Sequence, residues 1–232
     1  MTDRFAQRIK SFAIRAGRMT ENQQRGWNTG FPKHGFKLSE KNFDWDLSFD
    51  VAGRRVLEIG FGMGDSLVAM ARQNPADRYL GIEVHTPGVG KLLSEVDKYG
   101  INNLKVFAED AVQVIDEAIP LQSVDLMQIF FPDPWHKKRH HKRRLIQPEF
   151  VELVVSRLSD GGYLHLATDW QPYAEHMMEV LSASSALINT AGLNNYILRP
   201  ESRPETKFER RGHRLGHGVW DLMFEKATSD RG

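Results

Sequence analysis

From residue 54 onward the chain alternates short β-branched apolar runs with longer amphipathic ones, and this alternation restricts the fold more than any other feature. "RRVLEIGFG" (54–62) stops at glycines, and "DSLVAMARQNP" follows at helical spacing with Asp65 or Ser66 as its expected cap. "RYLGIEV" is the next strand. "TPGVGKLLSEVDKYG" is bracketed as a helix by Thr86 and Pro87 at its start and Gly100 at its end. "NLKVFAED", "SVDLMQIFF" and "YLHLATD" read as three more strands, each followed by a helical pattern. In the fourth, Asp125 and Gln128 interrupt an otherwise apolar run. "NYILRP" and "VWDLMFEK" add two strands near the end. Strands separated by helices of about 10–15 residues imply βαβ units, hence an α/β, doubly wound, mostly parallel sheet covered by helices on both faces.

Ligands of such sheets bind beyond the carboxyl ends of the strands. Those ends carry Glu58 to Gly64, Glu83, Asp110, Pro132 to Trp135, and Asp169. An acid stands at all five, although acids make up only 30 of the 232 residues; the pattern marks a site as well as a fold. The first turn, "EIGFGMGD", has glycines at 60, 62 and 64. Asp65 occupies the place of the third glycine in a dinucleotide fingerprint, and its charge would repel a pyrophosphate. No G-x-x-x-x-G-K-[ST] occurs, so a P-loop is excluded. A ligand that welcomes carboxylates fits better. S-Adenosylmethionine has a sulfonium, an ammonium and two ribose hydroxyls, and no phosphate. Glu83 stands where an acid accepts ribose hydroxyls, Asp110 where one accepts from an adenine amine, and Glu58 beside the glycine turn. The plainer role of Glu83 and Asp110 is to cap the helices that follow.

Charge is segregated. The formal net charge is +1, yet residues 1–41 hold nine Lys/Arg against three acids, and residues 136–147 hold six with no acid. Residues 199–214 hold six against three. Basic segments around an acidic body suggest a polyanionic partner. The densest of them follows the fourth strand directly, in "FFPDPWHKKRHHKRR" (130–144). The absence of cysteine removes thiol nucleophiles, thiolate metal sites and disulfides. No apolar run approaches the ~18 residues of a membrane span, and no signal-peptide pattern opens the chain, so a cytoplasmic protein is expected. Phe5, Ile9 and Phe12 suggest a short amphipathic helix in a basic arm over residues 1–50, partly helical or mobile until RNA binds. Residues 51–232 form the main domain. His136, His140 and His141 beside Asp133 are surrounded by cations that oppose a metal dication, so no metal is expected.

"VLEIGFGMGDSL", "GIEVH", "FAEDA", "FFPDPWHKKRHHKRRL", "ATDW" and "TKFERRG" together resemble the bacterial tRNA (guanine-N7)-methyltransferase family, from about residue 15 to about residue 226. "PDPWHKKRHHKRR" and "TKFERRG" are specific to it, whereas the glycine turn marks only the wider class I methyltransferase superfamily. The resemblance implies a Rossmann-like seven-stranded sheet, S-adenosylmethionine as methyl donor, and a guanine of the tRNA variable loop, position 46, as acceptor. It also implies that Glu58, Glu83, Asp110 and Asp133 line the cofactor site together with Gly60, Gly62 and Gly64. Lys137, Asp169 and Thr206, Lys207, Phe208 and Glu209 would face the substrate. Arg139, His140, His141, Lys142, Arg143 and Arg144 would touch RNA. Monomer and homodimer are both compatible with it.

The residues suit that chemistry. Guanine N7 has a free lone pair at neutral pH, so no general base is required, and positioning supplies most of the acceleration, about 7–11 kcal/mol when the fit is good. A carboxylate near the base accepts from guanine N1–H and the N2 amine and stabilises the positive charge that develops on the ring. Asp133, Asp169 and Glu209 are the candidates, with the reader of the guanine edge open among the three, and Asp133, held between Pro132 and Pro134, is the expected catalytic carboxylate. Trp135 offers a face for a stacked base. The rival readings are methylation of adenine N6, whose enzymes carry a similar tetrapeptide, a small-molecule methyltransferase, and an inert RNA-binding protein of the same fold. Pyrimidine C5 chemistry normally needs a cysteine nucleophile, which the chain lacks.

Overall fold

The computed structural model describes residues 10–12, 17–40, 43–205, 209 and 218–228. Phe5, Ile9 and the stretch Thr206 to Phe208 lie outside those residues. Helix α1 (Glu21–His34) begins with a capping box: Thr20 Oγ1 accepts from the Gln23 N–H while the Gln23 side chain accepts from the Thr20 N–H. The chain continues through β1 (Gly35–Phe36), α2 (Trp45–Ser48), β2 (Arg55–Ile59), α3 (Asp65–Gln73), β3 (Arg78–Ile82) and α4 (Thr86–Tyr99). Next come β4 (Leu104–Phe107), α5 (Ala111–Glu117), β5 (Val124–Phe130), α6 (Pro148–Arg157), β6 (Leu158–Thr168), α7 (Gln171–Ser182), β7 (Leu187–Asn189) and β8 (Trp220–Lys226).

Among the described residues the sheet has eight strands, not the seven expected, in the order β1-β4-β3-β2-β5-β6-β8-β7. The addition is β1, whose Gly35 and Phe36 pair parallel with Val106 and Phe107. Two residues carry too little pattern to read as a strand in sequence. Strands β1 through β6 run parallel, β8 runs antiparallel to them, and β7, antiparallel to β8, regains the common direction. "NYILRP" is not the sheet's last strand. Leu187, Ile188 and Asn189 take that place, and Ile197 makes only an isolated bridge to Asp221. The run lacks a face to bury, since Leu198 is 93% exposed.

Two apolar layers sandwich the sheet. Leu57, Leu80, Met127 and Ile129 face α5, α6 and α7, where Phe43, Trp45 and Phe49 complete the layer. Val56, Tyr79, Leu104 and Val106 face α3 and α4, with Trp27 and Phe31 of α1 packed behind. Each fully buried leucine, such as Leu67 or Leu92, contributes about 1.5–3 kcal/mol. Helix α1 lies backbone against backbone on α4. A Cβ at Gly26 would fall 2.1 Å from Gly90 O, and one at Gly90 would fall 2.3 Å from Gln23 O. Residues 17–40 and 43–50 are thus woven into the body. Among the described residues no helix is long and apolar enough to cross a membrane.

Candidate active site

Strand order reverses between β2 and β5, since the chain moves outward from β2 through β3 and β4 and then returns to add β5 on the other side. A crevice opens beyond the carboxyl ends at such a switch point, and the expected acids sit around it. Glu58, on β2, is 3% exposed, and its Oε2 is buried without a hydrogen-bond partner. Burial, with the charge of Glu83 adding to it, pushes its carboxyl up to about 8, so it is mostly protonated at neutral pH. Glu83 follows β3 and does the orienting work for the glycine turn: Oε2 accepts from the Gly62 N–H at 2.7 Å and Oε1 from the His85 N–H at 2.9 Å. Asp110 caps α5 by accepting from the Val112 N–H.

The glycine turn shows why side chains are absent there. Gly60 and Gly62 have φ of +74° and +58°, and a Cβ on either would meet nothing within 4 Å. Open space beside backbone, next to a buried and unpartnered carboxyl, is what a close-fitting cationic ligand requires. The cap of α3 is Gly64 in the left-handed conformation, not Asp65 or Ser66. Asp65 is instead ion-paired with Lys91.

At the end of β5 the backbone is strained on both sides of the Pro-Asp-Pro segment, with positive φ at Phe131 (+52°) and Trp135 (+46°). The turn holds the Asp133 carboxylate exposed above the crevice. Trp135 is less available than expected. Its Nε1–H donates to Ser11 O at 3.0 Å, and the Arg143 guanidinium lies 4.9 Å from its ring centre. The basic run continues as a 3-10 segment, Lys138–Arg143, with Lys137, Lys138, Arg139 and Lys142 exposed. His140 and His141 are half-buried within it. Desolvation first, then the charges of Arg139, Arg143, Lys137 and Lys142, hold the His140 imidazole below its ordinary value. Arg144 departs from the RNA-facing group. It is 4% exposed, donates to Pro134 O at 3.0 Å, and stacks 4.8 Å from the Tyr173 ring. Its charge braces the loop from inside.

Asp169 is exposed after β6, beside Trp170, whose ring meets His136 edge to face at 4.5 Å. Glu209 is different: it is 2% exposed and ion-paired with Arg203 at 2.6 Å. Arg203 was not legible as a site residue, since nothing in "ESRPETKFE" separates a buried arginine from a surface one. A second unforeseen feature is a polar row on one sheet face. Glu58 pairs in register with Gln128, and Gln128 with His165, so the three side chains share a face. His165 Nε2 lies 2.8 Å from Asp221 Oδ1. Gln128 interrupts an apolar run, which was the available signal. Among the described residues no three His, Asp or Glu side chains gather as a metal-ligand set.

Residues 53–222 match a family model described as "Putative methyltransferase". The tRNA (guanine-N(7)-)-methyltransferase of Pseudomonas savastanoi pv. phaseolicola is 55% identical over 219 residues, 94% of this chain and 90% of that one. The enzymes of the same name from Pseudomonas aeruginosa and Pseudomonas putida are 54% and 55% identical, covering 94% of this chain and 89% and 91% of theirs. Among solved structures, the 16S rRNA methyltransferase KamB aligns with a TM-score of 0.55 at 16% identity, over 95% of this chain and 99% of that one. A SAM-dependent O-methyltransferase from Thermotoga maritima aligns at 0.51, with 15% identity over 78% and 62%. At such identities these two establish the fold alone.

Proposed function

The chain belongs to the tRNA (guanine-N7)-methyltransferase family, and from that premise we propose how its residues carry a methyl group from S-adenosylmethionine to guanine N7 in tRNA. The observation that carries the proposal is Glu58, a buried, unpartnered carboxyl beside an open glycine turn at the switch point. The cofactor, when bound, supplies an electrophilic methyl group on a sulfonium. Glu58 meets its ammonium end. Glu83 keeps lone pairs for the ribose hydroxyls while holding Gly62, and Asp110 accepts from the adenine amine. Asp133, fixed by its two prolines, stands where β5 delivers it to the methyl group. It accepts from the guanine edge and stabilises the ring as it becomes cationic. Lys137, Asp169 and the segment from Thr206 to Glu209 flank the guanine. The acceptor is the variable-loop guanine, position 46, and the enzyme works in the cytoplasm, where its substrate is.

The test is a digest of total tRNA after incubation with enzyme and methyl-labelled donor. Label is expected in 7-methylguanine at one site per tRNA. Label in N6-methyladenine, or in free metabolites alone, would sink the assignment.

The exposed cations hold the phosphate backbone. Neutralising Arg139, Lys142 and Arg143 together should flatten the dependence of log affinity on log salt by about 2–3, since each phosphate contact contributes about 0.7–0.9. Fluorescence anisotropy with labelled tRNA at several salt concentrations measures the slope, and an unchanged slope would make the run a solvated loop. Arg144→Gln should instead lower thermal stability, because its guanidinium is spent inside the fold.

A further inference from the structure

Strand β5 carries two polar interruptions, and contacts within the fold account for only one of them. Asp125 accepts from the Arg55 guanidinium at 2.7 Å and from the Ser159 hydroxyl at 2.7 Å. Gln128 is 3% exposed, and its Oε1 is buried with no hydrogen-bond partner. A buried acceptor left unpaired costs free energy that an apolar side chain of the same length would avoid. Stability alone therefore does not explain a glutamine at this position.

Its neighbours narrow the explanation. Register places Glu58 beside it on β2 and His165 beside it on β6, all on one face of the sheet. Strands so paired lie about 4.8 Å apart. On the β6 side, His165 is engaged elsewhere: its Nε2 lies 2.8 Å from Asp221 Oδ1, and its ring meets Phe130 edge to face at 5.0 Å. On the β2 side, Glu58 Oε2 is buried and equally unpartnered. Two residues beyond it, Gly60 leaves open space where a side chain would stand. Two acceptors, one an amide carbonyl and one a carboxyl, thus occupy neighbouring strands at the switch point with no donor for either. A primary ammonium brings three donors in one small group and can serve both.

We propose that Gln128 is a cofactor-binding residue whose Oε1 accepts a second N–H of the ammonium that Glu58 meets, so that a pair of acceptors holds the methionine end of S-adenosylmethionine. This rests on the assignment of Glu58 to that ammonium. An amide suits the second place better than another acid would. It adds an acceptor without adding a like charge beside Glu58, where Glu83 already lends one.

The probes are S-adenosylhomocysteine, which keeps the ammonium, and its deamino analogue, in which hydrogen replaces it. Calorimetry gives Kd for both with wild type, Gln128→Met and Glu58→Gln, and melting temperature is measured without ligand. Methionine matches glutamine in length and removes the acceptor; Gln128→Leu serves if Gln128→Met fails to fold. Gln128→Met is expected to weaken S-adenosylhomocysteine about 10- to 100-fold, the size of one charge-assisted hydrogen bond, and to leave the deamino analogue within about 2-fold. Without ligand it should melt no lower than wild type, since an orphaned acceptor is gone.

Equal weakening toward both probes, or a lower melting temperature with Kd unchanged, would make Gln128 a structural residue and overturn the proposal. Glu58→Gln tests the assignment beneath it. If Glu58→Gln erases the preference for the ammonium-bearing probe while Gln128→Met does not reduce it, the proposal falls and the role of Glu58 stands. If Glu58→Gln keeps the full preference, the role of Glu58 falls, and the proposal with it.

Discussion

Asp133→Ala is expected to lower the rate of methyl transfer by about 100- to 1,000-fold and to leave tRNA affinity within about 2-fold. Two separate sets of charges produce this split. On the proposed reading, phosphate is held by the cations from Lys137 to Arg143, of which Lys137, Lys138, Arg139 and Lys142 are exposed, and the substitution removes none of them. On that reading Asp133 acts most strongly when charge moves from sulfur to the purine ring, so most of its loss should fall on kcat. The local backbone sharpens the effect. Pro132 and Pro134 restrict φ around the carboxylate, and the positive φ values of Phe131 and Trp135 close the turn. Single-turnover transfer to tRNA, with anisotropy on the same preparation, measures both quantities. Undiminished transfer would remove Asp133 from the mechanism, and a parallel loss of affinity would make it a binding residue.

The elements that could be read in sequence are those whose residues declare their surroundings. Gly60, Gly62 and the acids after the central strands were legible because a parallel sheet places each strand's end at the same edge. One residue type repeated there is a pattern with a position. The helices after them were legible from spacing and from Gly100 as a stop. What escaped is what depends on partners remote in sequence. The Thr20–Gln23 capping box was available as a signal for α1, but its seat on α4 depends on Gly26 meeting Gly90. The two residues of β1 become a strand only because Val106 and Phe107 lie alongside.

Charge misleads most where it is densest. Arg144 and Arg203 sit in basic stretches that read as surface, and both are buried. Each is satisfied by partners that composition cannot reveal: the Pro134 carbonyl and the Tyr173 ring for one, Asp221 and Glu209 for the other. Glu209 shares the same ambiguity, since it is buried in an ion pair with Arg203. Gln128 was visible as an interruption, but its place in the row Glu58, Gln128, His165 is a property of register alone.

Glu58→Gln should reverse sign between its two effects, gaining stability at alkaline pH while losing cofactor affinity. In the folded protein the carboxyl is pushed up to about 8 by burial, with Glu83 adding to it, and in the unfolded chain it stands near 4.5. A raised folded value means that the stability contribution is fully present below pH 4.5 and is lost as pH rises to about 8. The unfolded chain ionises freely across that window while the folded one cannot. Linkage gives a slope of about 1.4 kcal/mol per pH unit and a ceiling of about 5 kcal/mol, which relaxation of the loop reduces. Glutamine carries no such term, so urea titrations of Glu58→Gln should lack the wild-type decline between pH 5 and 8. Binding runs the other way. The ammonium of S-adenosylmethionine favours the ionised carboxylate, so wild-type affinity should climb up to about pH 8 and binding at pH 7 should release nearly one proton. Calorimetry in two buffers of different ionisation enthalpy counts that proton. Equal heats in both buffers, or a stability decline that survives in Glu58→Gln, would show that this carboxyl is not the one linking pH to the cofactor.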